Sequence, residues 1–282
     1  MKTLTPFGLS DFVPEETETF QRLLNIVKDV FAQQHYQTAK TPTLEYYDTL
    51  SVAMGDFLKE RAIKFVDRSG HLMILRPDHT TPIARLAATR MADISRPLKL
   101  CYFDSIFRLS PDNYCDAVER FQVGAECIGI AGVQAELDII LLCVRALEAM
   151  GLSNLRIMLG HVSFTKGLNK DQKFALKSKN YAAFGNLPAC GGAELFEEFP
   201  ELQVLTKNLQ SQVIGSEVMV NKALVQGLYY YTGLLFEVYI KGCSEPIATG
   251  GRYDGLLNKF GKDEPAVGFG IDLTLLKEYM HP

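Results

Sequence analysis

Two alternating stretches, Leu98 to Leu109 and Arg120 to Ile130, are joined only by the short polar loop Ser110 to Ala117, and they read as paired strands. Lys64-Phe-Val-Asp67, a Ser69-Gly70 turn and Leu72-Met-Ile-Leu75 form a second hairpin by pattern. Strands return from Ala223 onward, at Leu228 to Ile240, Pro246 to Thr249 and Ala266 to Leu273, closed by a short C-terminal helix. Helices cluster between these runs. After Asp11-Phe-Val-Pro14, Phe20, Leu23, Leu24, Val27, Val30 and Phe31 recur at helical spacing to about His35. Thr80 to Met91 is a second helix, and Ala135 to Met150 a strongly apolar third that stops at Gly151. Hairpin-linked strands with helices between the runs favour a largely antiparallel α+β sheet over a doubly wound one. The stretch Ser163 to Asn221 is polar and rich in Lys, Asn and Gly, and is expected to be an insertion of small helices outside the main sheet.

At 282 residues and 47% hydrophobic content, the chain is long and apolar enough for a substantial core. No apolar run approaches the roughly 18 residues that span a membrane. Met1-Lys-Thr-Leu-Thr-Pro-Phe-Gly lacks the charged start and apolar core of a signal peptide, so a cytoplasmic protein is expected. Cys101, Cys115, Cys127, Cys143, Cys190 and Cys243 are scattered without a C-x-x-C pair, which reads as reduced thiols rather than a disulfide or zinc framework. The His residues show no ligand spacing, so no metal and no cofactor is expected. Net charge is −4, and the densest basic cluster, Lys166, Lys170, Lys173, Lys177 and Lys179, reads as a solvated helix face. A chain that grips tRNA must neutralise many phosphates, and this one is poorly equipped to do so.

Two stretches near the C-terminus are the most specific: Gln226-Gly-Leu-Tyr-Tyr-Tyr-Thr-Gly-Leu-Leu-Phe-Glu-Val-Tyr239 and Gly250-Gly-Arg-Tyr-Asp-Gly-Leu256. They resemble the two signature motifs of histidyl-tRNA synthetases. The likeness to that catalytic core runs from Gly8-Leu-Ser-Asp-Phe-Val-Pro14 to the last helix, apart from the insertion. Pro42-Thr-Leu-Glu45 stands where class II motif 1 places its proline, at the dimer contact. Phe107-Arg108 begins motif 2, Phe121-Gln-Val-Gly-Ala-Glu126 closes it, and Ala266-Val-Gly-Phe-Gly-Ile271 opens motif 3. Leu75-Arg-Pro-Asp-His-Thr-Thr-Pro-Ile-Ala-Arg85 resembles the family's segment beside the amino-acid pocket, with Asp78 where synthetases usually place Glu. The resemblance implies one class II synthetase-like domain over 1–282: an antiparallel sheet flanked by helices, with a small inserted helical region at about 163–221 and no anticodon-binding domain.

The departures from that family bear on activity. Adenylation needs cations around the triphosphate as charge builds in the transition state. Arg108 remains, which in the family touches the α-phosphate. The family's Arg-rich motif 2 loop is here Ser110-Pro-Asp-Asn-Tyr-Cys-Asp-Ala117, an acidic stretch. Gln226 replaces the histidine-specific catalytic Arg, and Asp272-Leu-Thr-Leu275 stands where motif 3 carries Gly-Leu-Glu-Arg, so Leu275 takes the place of Arg. One lost donor costs about 10²–10³ in rate, so three losses leave little adenylation and no catalytic residue is expected.

The amino-acid pocket is better kept. By the resemblance, Asp78, Thr80, Arg108, Gln122, Glu126, Tyr231 and Tyr253 stand at ligand positions. Two carboxylates with aromatic hydroxyls suit a zwitterion carrying an imidazole. Each also has a plainer reading. Asp78 fits a cap on the helix starting near Thr80. Gln122 and Glu126 share one strand face and fit an exposed polar stripe. Tyr229, Tyr230 and Tyr231 fit a strand, and Arg108 fits a pair with a carboxylate. The combination of kept pocket and lost adenylation resembles the regulatory subunit of ATP phosphoribosyltransferase. That resemblance implies a non-catalytic partner of the short catalytic subunit, self-associated as a class II-type dimer within a hetero-oligomer, that carries histidine feedback on the first step of histidine biosynthesis, with histidine held either in this pocket or at the interface with the catalytic subunit. The enzyme alternative is a divergent stand-alone histidine-activating protein or synthetase fragment.

Overall fold

The computed structural model describes residues 4–109, 117–177, 190–224 and 230–277. Helix α1 (Pro14–Gln33) opens on Pro14 with Glu15 and Glu16 in its first turn, and the Glu16 carboxylate accepts the Val13 N–H at 3.0 Å. Its stripe Leu23, Leu24, Val27 and Phe31 is buried, as the spacing requires. Two short strands follow, β1 (Gln37–Thr38) and β2 (Leu44–Tyr46), then the small helices α2 (Tyr47–Ser51) and α3 (Asp56–Arg61). The hairpin of β3 (Lys64–Val66) and β4 (Leu72–Leu75) forms as its sequence predicts: Asp67 Oδ1 accepts the N–H groups of Ser69 and His71, and Gly70 takes the left-handed φ of 85°. With β2 it makes a three-stranded sheet, while Ile74 packs inward with Leu50, Met54 and Leu58.

The main sheet begins with β5 (Leu98–Phe107) and β6 (Glu119–Ile128), paired antiparallel along their whole length from Leu98↔Ile128 to Phe107↔Glu119. Between β4 and β5 lies α4 (Thr80–Ala88), and after β6 comes the apolar α5 (Val133–Ala149), which ends before Gly151 at φ 93°. The remaining strands are β7 (Arg156–His161), β8 (Cys190–Gly191), β9 (Glu217–Asn221), β10 (Leu234–Tyr239), β11 (Ala248–Arg252) and β12 (Ala266–Asp272). Helices α6 (Lys170–Lys177), α7 (Pro200–Gln212) and α8 (Leu273–Lys277) complete the described elements. Nine strands run in the order β1-β5-β6-β12-β11-β10-β7-β9-β8. All adjacent pairs are antiparallel except β1 with β5 and β7 with β9. The expected α+β architecture, a largely antiparallel sheet flanked by helices, is therefore present.

The expectation that 163–221 stays outside the main sheet is not met. β9 pairs parallel with β7 from Arg156↔Glu217 to Leu159↔Val220, and β8 adds beyond it. Helix α7 returns to the core through Leu202, Leu205 and Leu209. A parallel partner lies about sixty residues away in sequence and leaves no local signature, unlike a hairpin. A second difference concerns the tyrosines. β10 starts only at Leu234, so Tyr230 and Tyr231 lie ahead of the strand rather than in it.

One sheet face is covered by α1, α5 and α7 around Phe31, Phe236, Ile139 and Phe196, all fully buried. Alternation along β6 sends Val123, Ala125 and Cys127 into that core. Gln122, Gly124 and Glu126 are left to the opposite face. There a smaller apolar cluster of α4, Leu256 and Leu257 gathers around Tyr102 and Tyr253. Among the described residues no helix is long and apolar enough to cross a membrane.

Candidate functional site

The face bearing Glu126 is built by β5, β6, β12 and β11, roofed by the start of α4 and by Tyr253. Glu126 sits level with Leu100 on β5 and Gly268 on β12 and is fully buried. Glycine at 268 is a steric necessity, because a Cβ there would fall 1.6 Å from Glu126 Oε2. Thr80 donates its hydroxyl to Glu126 Oε1 at 2.8 Å, and Tyr253 donates to Oε2 at 2.5 Å. Burial pushes the Glu126 carboxyl up to about 8, against the two hydroxyl hydrogen bonds and with the Asp78 charge adding to the rise. Its neutral form is thus favoured around pH 7.

Asp78 is buried and spends both oxygens on Thr81, accepting its N–H at 2.7 Å and its hydroxyl at 3.0 Å. That is the capping geometry of its plainer reading. Its pKa is raised by burial and opposed by the Thr81 N–H and the charge of Arg108. Arg108 donates Nε to the Pro77 carbonyl at 2.5 Å, while burial lowers its pKa and Asp78 counters. The guanidinium is therefore fastened to the segment that leads into Asp78.

Tyr231 lays its ring over Gly251, 2.9 Å from where a Cβ would stand. Tyr230 lies 5.0 Å from Tyr231 and 5.8 Å from Tyr253 by ring centroids. Gln122 is half-buried on the Glu126 face, 3.6 Å through Oε1 from a Cβ placed on Gly270, and makes no side-chain hydrogen bond among the described residues. Thr80, Glu126 and Tyr253 are thus directly joined, with Asp78, Arg108, Gln122 and Tyr231 around them. Gln226 lies outside the described residues, as does most of the loop from Ser110. Leu275 is described: it packs half-buried against the main core, and its N–H is capped by Asp272 Oδ1 at 3.0 Å.

Four further residues shape the site without having been singled out by sequence. Tyr102 donates to the Phe269 carbonyl at 3.2 Å and stacks on His79 at 4.2 Å. His79, its pKa held down to about 3 by burial and by Arg76, is a neutral imidazole whose Nε2 meets the Asp104 carbonyl at 2.9 Å. Arg76, buried, bonds the carbonyls of Ser105 and Thr41 and pairs with Asp104 at 2.8 Å. Arg252, inside the Gly-Gly-Arg-Tyr motif, pairs with Glu136 at 2.6 Å and Asp254 at 3.1 Å and bonds the Gly132 carbonyl at 3.0 Å. It ties the turn carrying Tyr253 to α5. Among the described residues no group of three or more His, Cys, Asp or Glu is arranged to hold a metal.

Chemically, this face offers buried carboxyl and hydroxyl groups with one guanidinium at the edge. It suits a small ligand carrying an ammonium or imidazole. Each Glu126 oxygen accepts one hydroxyl and keeps a second lone pair, so a ligand cation has an acceptor there without displacing Thr80 or Tyr253. The family model for histidyl-tRNA synthetase matches residues 8–189 and 185–276. A protein of Geobacillus kaustophilus named ATP phosphoribosyltransferase regulatory subunit is 32% identical over 314 residues, covering 97% of this chain and 79% of that one. A solved structure from Bacillus halodurans, described as an ATP phosphoribosyltransferase regulatory subunit/histidyl-tRNA synthetase, superposes with TM-score 0.86 at 30% identity, over 100% of this chain and 84% of that one. Apo histidyl-tRNA synthetase of Staphylococcus aureus shares the fold, with TM-score 0.71 at 20% identity over 100% and 72% of the two chains.

Proposed function

This chain belongs to the histidyl-tRNA synthetase-like family of ATP phosphoribosyltransferase regulatory subunits, and from that premise we propose that it activates the short catalytic ATP phosphoribosyltransferase and makes it responsive to histidine. The observation that carries the reading is a contrast within one site. The carboxyl and hydroxyl groups suited to an amino acid converge at Glu126, whereas Leu275, in place of the motif 3 Arg, is packed against the core. A helix start that serves apolar packing offers no cation to a triphosphate, which supports a protein without adenylation activity of its own.

Histidine would sit among Asp78, Thr80, Gln122, Glu126, Tyr231 and Tyr253, its ammonium or imidazole on Glu126 and its carboxylate toward Arg108. Control is then linkage: histidine binds one state of the complex better than the other, and a coupling of about 1–3 kcal/mol suffices. A class II-type dimer is supported by the outer face of β2–β4, where Leu44, Tyr46 and Phe65 are exposed beside Pro42. The buried free thiols Cys101, Cys127 and Cys143 support a reducing, cytoplasmic setting, and the net charge of −4 supports a protein that does not bind tRNA.

The test is to add the purified chain to the short catalytic subunit and measure turnover and co-elution, with histidine-dependent ATP–pyrophosphate exchange of the chain alone alongside. Stimulation and co-elution without exchange support the proposal. Exchange without stimulation would establish the activating enzyme instead.

A further inference from the structure

We propose that the cavity on the α1 side of the sheet, walled by Phe12, Phe20 and Phe121, is a second small-molecule site for a planar nitrogen heterocycle with hydrogen-bond donors, of the size of a free nucleobase. The inference does not rest on the regulatory reading. The cavity measures about 320 Å³, at the lower end of ligand pockets, which span roughly 300–1,000 Å³. It therefore has room for a ring system with its polar substituents. Phe20 stands edge-on to Phe121 at 4.9 Å and 87°, and Phe12 is tilted against Phe20 at 5.5 Å and 57°, so three aromatic rings in mutual contact line the space.

The polar groups decide the chemistry. Ser10 and Ser105 line the cavity, and neither hydroxyl makes a hydrogen bond among the described residues. Thr274 Oγ1 accepts the Phe121 N–H at 2.8 Å, which leaves its own proton to donate. Glu119 is exposed at the rim and supplies an anionic acceptor. None of the lining residues is Lys or Arg, so phosphate and carboxylate groups are unwelcome while an amino donor is favoured.

This cavity is separate from the Glu126 site, because it lies on the other face of the same two strands. Ser105 and Phe121 are cross-strand partners lining the cavity, and their chain neighbours Asp104 and Gln122 are partners facing the Glu126 side. A ring bound here would brace the strands that position Gln122 and Glu126.

Adenine serves as the probe, with benzoate as an anionic ring of similar size, each titrated into the full chain by calorimetry and ligand-observed NMR. Saturable adenine binding without benzoate binding is expected. Glu119→Ala should weaken adenine about tenfold, the loss of one hydrogen bond to a charged acceptor. Ser105→Leu, which fills the cavity, should abolish binding, while Gln122→Leu on the opposite face should leave it unchanged. No saturable adenine binding would overturn the proposal, as would binding undiminished in both Glu119→Ala and Ser105→Leu, or binding lost in Gln122→Leu.

Discussion

Replacing Glu126 with Gln should change how stability depends on pH more than it changes the structure. Glu126 is fully buried, and its pKa rises from the ordinary 4.5 to about 8 because burial penalises the charged form. The folded protein therefore holds a proton that the unfolded chain gives up above about pH 4.5. That proton stabilises the fold fully below pH 4.5, and the stabilisation falls away as pH rises through 8. Between pH 6 and 8 linkage gives a loss of about 2 kcal/mol from this group alone. Gln keeps the size and the contacts, since the Thr80 and Tyr253 hydroxyls can turn to donate or accept, but it cannot titrate. Urea unfolding at fixed protein concentration, from pH 6 to 8, should show wild type losing about 2 kcal/mol relative to Glu126→Gln. In melting temperature the same difference is about 3 °C. A difference that stays flat across this range would refute the reasoning, because Glu126 would then be ionised or solvated in the folded state.

Other consequences follow from named contacts. Arg252→Leu leaves Glu136 buried without its partner and should cost about 3–5 kcal/mol by chemical denaturation, far more than an exposed pair such as Arg156–Glu217. Asp78→Ala removes the acceptor for both Thr81 groups and should cost about 1–2 kcal/mol, whereas Asp78→Asn, which keeps an acceptor, should lose less. Gly268→Ala forces a Cβ onto Glu126 and should destabilise by about 1–3 kcal/mol or more, read in the melting temperature. Leu275→Arg should lower stability without creating ATP–pyrophosphate exchange, because one cation does not replace the motif 2 loop and Gln226.

What was legible in the sequence was local. β3–β4 and β5–β6 are hairpins whose partners sit beside them in the chain, and α5 ends where Gly151 supplies a left-handed residue. The parallel pairing of β9 with β7 was hidden because nothing nearby in sequence encodes it. Tyr230 and Tyr231 have high strand propensity, yet lie ahead of β10, with Tyr231 packed over Gly251; tertiary packing overrode local preference. Within the site, sequence named Thr80, Glu126 and Tyr253 but not how they join. That Glu126 holds both hydroxyls emerges only when β6, α4 and the turn after β11 meet. The Arg252–Glu136 pair spans 116 residues, so a motif known by its glycines concealed an anchor. Asp78 shows the opposite case, where the plainer capping role is realised in the structure and any contact with a ligand must be made in addition.

The most direct test of the central claim is a histidine titration of the complex reconstituted from this chain and the short catalytic ATP phosphoribosyltransferase, for wild type and Glu126→Ala. The account predicts that the wild-type chain stimulates turnover and that histidine then suppresses it, while Glu126→Ala still stimulates but no longer responds to histidine. Stimulation with an undiminished histidine response in Glu126→Ala, or no stimulation by the wild-type chain at all, would contradict it.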